Sequence, residues 1–177
     1  MDEVRLLQLA DALRAAADPS GCIVAVWVTN KPAYMSFLLE KLLPAWGFDG
    51  PTVTWTWLKV AATGEPVTPL KSTHRLPFER LVLAARGPTE FCAAFKAWPP
   101  QTIVSVPLRH SWKPPVDQLL PSNLLPRDAP KLELFARELR PTWTSIGNEV
   151  LKFQDLSLFE LKDQPGPTSG PLPSVSP

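Results

Sequence analysis

Residues 131–150 read KLELFARELRPTWTSIGNEV. The stretch opens on a short apolar strand, Leu132 to Ala136, carrying one carboxylate, Glu133, and followed at once by Arg137. It closes on Trp143 and then on Gly147-Asn148-Glu149. An apolar strand that delivers a carboxylate and a guanidinium, with a tight Gly-Asn turn beyond, suits a small polar ligand held at a strand's carboxyl end. The remainder of the chain reads as scaffold and partner groups for that site.

Upstream, apolar runs of two kinds alternate. Leu6, Leu7, Leu9, Ala10 and Leu13 recur at helical spacing, which predicts a helix over 2–17, ended by Asp18-Pro19-Ser20-Gly21. CIVAVWV (22–28) is apolar on both faces and predicts a central parallel strand. Pro32 suits the first turn of a helix over 33–43. PTVTWTWLKV (51–60), RLVLAA (80–85) and TIVSV (102–106) read as further strands. Residues 88–100 read as a loop with one helical turn at 90–96, and a helix is expected to start over 115–120. Strands alternating with helices and lacking one-sided patterning predict an α/β fold, mostly parallel, with helices on both faces. Polar clusters then fall at strand ends: Thr29-Asn30, His110-Ser111-Trp112-Lys113, Arg137 and Gly147-Asn148-Glu149.

The 177 residues suffice for one domain with a real core. A net charge of +1 presents no large basic field of the kind that advertises nucleic-acid binding. Cys22 and Cys92 sit in apolar runs, as buried free thiols of a reducing compartment would. With His74 and His110 the only histidines, no metal site is expected. No apolar run reaches the roughly 18 residues of a membrane helix, and 1–17 is too evenly charged for a signal peptide, so a soluble intracellular chain is expected, without a membrane partner. Pro is abundant at 22 residues, and DQPGPTSGPLPSVSP (163–177) has no hydrophobic periodicity. The expected organisation is therefore one domain over 1–162 and a disordered Pro-rich tail over 163–177.

Four blocks carry a resemblance. VWVTNK (26–31), LPFERLVLAARG (76–87), SVPLRHSWKPP (105–115) and ELFARELRPTWTSIGNEVLKF (133–153) resemble the MT-A70 family of adenine methyltransferases in order and spacing, and within it the methyltransferase-like-four branch. The resemblance implies a Rossmann-like S-adenosylmethionine-dependent fold and methyl transfer to the 6-amino nitrogen of adenine in RNA, including small nuclear RNA, or in DNA. It also implies a setting in the nucleus, or in nucleus and cytosol, with a homologous methyltransferase subunit as a further partner. Matching positions assign Lys113 to the methionine carboxylate of the cofactor and to the edge of the substrate pocket. Glu79 matches an acidic residue lining the acceptor-adenosine pocket. Arg137 matches an Arg near the cofactor ribose, and Asn148 with Glu149 matches the pair contacting ribose and adenine. Glu133 lies on the matching cofactor strand. Trp112, beside Lys113, is a platform on which a base can stack. His74 and His110 read as loop residues, because amino methylation needs no strong general base.

The family's Asp-Pro-Pro-Trp motif does not occur in the chain. The expectation is thus an N-terminally incomplete version of the fold, with no catalytic residue assigned. Two other readings stand beside methyl transfer. One is a catalytically inactive family member that binds nucleic acid or stabilises an active partner. The other is an unrelated α/β binding domain.

Overall fold

The computed structural model describes residues 3–72, 75–107, 112–120, 124–126, 128–152, 154, 155 and 157. His74, His110 and the tail from Asp163 lie outside them. The chain divides into two compact units, Met1–Arg127 and Asp128–Pro177.

The first unit is built on a four-stranded sheet. Its strands are β1 (Cys22–Val28), β2 (Thr52–Lys59), β3 (Phe78–Arg86) and β4 (Thr102–Ser105), in the order β1-β3-β2-β4. β3 is the inner strand that explains the rest. Leu81, Val82, Leu83, Ala84 and Ala85 are all at 0% exposure, so both faces of β3 are covered. Side chains alternate across a strand. Val82 and Ala84 accordingly join one cluster with Val28, Leu38, Leu42, Leu43, Trp46 and Phe48. Leu81, Leu83 and Ala85 join another with Trp55, Phe95, Val116 and Leu124.

Helices cover both clusters. α1 (Glu3–Leu7), α2 (Ala10–Ala16) and α3 (Pro32–Phe37) lie on the first face. The single helix expected over 2–17 is broken at Gln8-Leu9, where the Leu6 carbonyl accepts the Trp46 indole N–H at 3.0 Å. α3 continues through a π turn, Leu38–Leu42, into α4 (Leu43–Ala45). The wide turn sits just before Pro44, whose ring would clash with the carbonyl four residues back. The Leu43 N–H donates instead to Leu38, five residues back. α5 (Thr89–Lys96) covers the second face through Phe91, Cys92 and Phe95. It is a full two-turn helix where only one helical turn was expected. The helix expected from residue 115 is a single 3-10 turn, Asp117–Leu119.

The expected α/β class and two-sided cover hold, and the expected strand directions do not. β3 runs antiparallel to both β1 and β2, and only β2–β4 is parallel. β1 is an edge strand, not a central one. The reason is that an apolar pattern on both faces reports cover by helices and is blind to chain direction. Residues 60–77 return the chain directly from β2 to β3, and such a connection makes neighbours antiparallel.

The second unit contains β5 (Lys131–Leu134) and β6 (Trp143–Ile146), paired in parallel with Glu133 opposite Ser145. β5 stops earlier than the expected strand because Phe135 turns into the left-handed region at φ 61. Strand β6 was not foreseen. Cys22 and Cys92 are free thiols, half-buried and not buried. Among the described residues, no helix is long and apolar enough to cross a membrane, and no group of His, Cys, Asp and Glu suits a metal.

Among the described residues, no strand pairs with the outer edge of β1, and the strand carries neither proline nor charge to blunt that edge. Sedimentation should therefore show association that rises with concentration. Ala25→Lys, at an exposed position on β1, should reduce it; a wild-type chain that stays monomeric at high concentration counts against this.

Candidate functional site

In the first unit the site grows out of the end of β3. Leu81, Leu83 and Ala85 face α5, and Glu79, two residues earlier than Leu81, continues the same face. Its register partner across the sheet is Trp57 on β2. Lys59, two residues beyond Trp57, ends β2 on the same face. One Glu79 oxygen accepts from Lys59 and the other from Lys113, so the carboxylate lies between two ammonium groups. Lys113 comes from the irregular segment after β4.

Two indoles back this triad. The Lys59 ammonium lies 4.8 Å from the Trp57 ring centre, and the Lys113 ammonium 5.6 Å from Trp57 and 5.9 Å from Trp27. Trp27 and Trp57 meet edge to face, with centres 5.7 Å apart. Trp57 is 2% exposed, and its Nε1–H donates to Ser105 Oγ at 2.8 Å. The platform is therefore anchored on two strands.

Burial pushes the Glu79 carboxyl upward, but the hydrogen bonds and charges of Lys113 and Lys59 outweigh it. The net result holds Glu79 below the ordinary 4.5. Among the described residues, two cations and one anion make the cluster net positive, half-buried beside aromatic surface. Such a site suits an anionic ligand with a flat or cationic neighbouring part.

Beside the cluster, at the end of β1, the Asn30 amide donates to the Phe78 carbonyl at 2.6 Å. Among the described residues, Asn30 Oδ1 is buried and has no hydrogen-bond partner.

In the second unit, Arg137 donates to Glu149, and Lys152 donates to the other Glu149 oxygen at 3.1 Å. Arg137, then Lys152, hold the Glu149 carboxyl below its ordinary value. Gly147 brings this turn against the chain just beyond β5: a Cβ there would lie 2.2 Å from the Ala136 carbonyl oxygen. Asn148 and Glu149 follow directly, Asn148 exposed. Glu133 is different in kind. Burial raises its pKa, opposed by Arg140 and reinforced by Glu138. Among the described residues, its Oε2 and the Oγ of Ser145 across the ladder are buried without hydrogen-bond partners. Arg140 approaches Glu133 only to 3.9 Å and is taken up by Glu138 at 2.7 Å.

The structure thus brings Glu79 together with Lys113, and Arg137 together with Glu149. Trp112 is half-buried next in sequence to Lys113. Trp27 and Trp57 lie under the ammonium groups. Lys59, Trp27 and Trp57 were missed in sequence. The available signal was Trp57-x-Lys59 at the end of an alternating strand, which puts ring and ammonium on one face.

A family model described as MT-A70 matches residues 2–149. The chain belongs to the MT-A70 family. Among its relatives is the N6-methyladenosine RNA methyltransferase MTA1 of Pyricularia oryzae, 37% identical over 173 residues, covering 96% of this chain and 45% of the relative. Another is the N(6)-adenine-specific methyltransferase METTL4 of Mus musculus, 41% identical over 153 residues, covering 82% of this chain and 31% of the relative. A third is the DNA N6-methyl methyltransferase of Caenorhabditis elegans, 33% identical over 139 residues, covering 77% of this chain and 37% of the relative. The chain spans less than half the length of these curated relatives.

MT-A70 proteins are S-adenosylmethionine-dependent methyltransferases with a Rossmann-like fold, and the donor chemistry present here fits that cofactor. Within the first unit Lys113 is a cation suited to a carboxylate; within the second, Arg137 and the Asn148 amide can donate to a hydroxyl and Glu149 can accept from one. All of these lie inside the matched residues.

The depressed Glu79 pKa has a definite consequence. A carboxyl whose folded pKa is lowered stabilises the fold above its unfolded value and loses that contribution as pH falls through the folded value. Wild-type unfolding free energy should exceed that of Glu79→Gln by about 1–2 kcal/mol near neutrality, the scale of partly exposed hydrogen bonds to a charge. The gap should narrow only as pH falls below the ordinary 4.5, where the depressed carboxyl begins to take up its proton. Denaturant unfolding of both proteins across that range checks it, and parallel curves would refute the assignment.

Proposed function

We propose that this chain acts in S-adenosylmethionine-dependent methyl transfer to the 6-amino nitrogen of adenine in RNA or DNA. The observation that carries the reading is the half-buried Lys59–Glu79–Lys113 cluster on its indole platform, inside the residues matched by the family. The names of the relatives support both polymers as acceptors, RNA for MTA1 and DNA for the nematode protein.

When bound, the cofactor supplies an electrophilic methyl group on a sulfonium. The chain's own residues bind and orient. Lys113 is assigned to the cofactor carboxylate, where a charge-assisted bond sets position. Asn148, Glu149 and Arg137 are assigned to ribose and adenine, and Glu133 to the same cofactor strand. Glu79 and Trp112 are assigned to the acceptor base. Positioning of this kind is the protein's main contribution to a reaction whose reactive group is carried by the cofactor. Residence in the nucleus or cytosol, and a homologous subunit as partner, belong to the same proposal; imaging and co-purification test them.

A second reading is a family member that binds nucleic acid or steadies an active partner without transferring methyl groups itself. Methyl transfer to an adenine-containing oligonucleotide by the purified chain separates the two readings: robust transfer excludes the silent one.

Calorimetry with S-adenosylmethionine should show saturable binding to the wild-type chain. Lys113→Ala should weaken it at least tenfold, because the ligand carboxylate loses its charged partner. Equal affinity in the variant would remove Lys113 from the cofactor site.

A further inference from the structure

The two lysines on Glu79 are not equivalent. Lys59 ends an inner strand and is pinned through its main chain. Its N–H donates to the Pro77 carbonyl at 2.7 Å, and its carbonyl accepts from Val67 N–H at 3.0 Å. Its ammonium lies on the buried Trp57 ring. Lys113 arrives from an irregular segment followed by Pro114 and Pro115. Each lysine has its own Glu79 oxygen, so one can leave without breaking the other's bond.

An anionic ligand that takes Lys113 competes with Glu79 for it. If Glu79 had no second cation, the exchange would strand a carboxylate that is only 18% exposed. A half-buried charge left without a partner is expensive. Lys59 removes that cost, since Glu79 keeps a counter-ion after Lys113 departs.

We propose that Lys59 is a positioning residue: it neutralises Glu79 so that Lys113 is available to the carboxylate of the bound ligand. The inference rests on the cofactor assignment of Lys113 and extends it to a residue outside the family-derived set. Lys59 touches Glu79 and the Trp57 face in the structure, and its effect on the ligand passes through Glu79.

A double-mutant cycle tests this by calorimetry with S-adenosylmethionine, using wild type, Lys59→Met, Glu79→Gln and the double variant. Lys59→Met should weaken binding about tenfold when Glu79 is present. In the Glu79→Gln background the same change should cost less than about threefold, since no carboxylate then competes for Lys113. Lys59→Arg should restore near-wild-type affinity. With the decarboxylated cofactor, the Lys59→Met effect should vanish. Circular dichroism checks the fold of each variant, and Lys59→Gln replaces Lys59→Met if the latter does not fold.

Equal losses in both backgrounds, or an equal loss with the decarboxylated cofactor, would overturn the inference while leaving the cofactor reading intact. A folded wild-type chain that binds no S-adenosylmethionine would overturn the cofactor reading, and this inference with it.

Discussion

Five consecutive residues of β3, Leu81 to Ala85, are removed from water on both faces at once. That constraint organises the first unit. A strand of this kind must have hydrogen-bonded neighbours on both edges and apolar cover above and below, because buried backbone groups and buried side chains both need partners. β1 and β2 satisfy the edges. α1 to α4 supply the cover on one face and α5 on the other. Leu81, Val82 and Leu83 contribute roughly 1.5–3 kcal/mol each on full burial, so this strand holds a large share of the hydrophobic stabilisation.

The site follows from the same alternation carried past the core. At Glu79 the face occupied by Leu81, Leu83 and Ala85 passes from apolar to ionic. A carboxylate at that boundary is partly desolvated, which disfavours its charge, and two lysines reverse the balance. Trp57 and Trp27 add flat surfaces beside the ammonium groups. Burial, charge and aromatic surface therefore meet where the sheet stops being a core, at a place created by strand register.

Legibility was uneven for physical reasons. The α/β class, the approximate strand positions and the two-sided cover could be read from apolar runs that reach 0% exposure in β3. Lys113, Glu79, Arg137, Asn148 and Glu149 could be named from blocks of residues in matching order. Strand direction could not be read, since burial pattern carries no sign of direction. β6 escaped because WTSI is only four residues long with two consecutive polar residues, Thr144 and Ser145, at its centre, so it resembles a turn until it is paired with β5. α5 was underestimated because Phe91, Cys92 and Phe95 form a short stripe between proline-rich flanks. Arg137 had local acids, Glu133 and Glu138, as apparent partners, yet it bonds Glu149, twelve residues away.

By itself the sequence determined what is encoded locally: which segments are apolar, where proline and glycine interrupt them, and which charged residues stand at their ends. Those properties depend on neighbours in the chain, and the family could be recognised from them. Only the tertiary structure decided which charges meet. Lys59, Glu79 and Lys113 are separated by 20 and 34 positions, and strand register together with the returning segment after β4 makes them one cluster. The same holds for Trp27 beside Trp57 and for the close passage of Gly147 over Ala136. Electrostatic and steric partnerships fall off over a few ångströms, so they depend on proximity in space, which in this chain the packing around β3 and the pairing of β5 with β6 create.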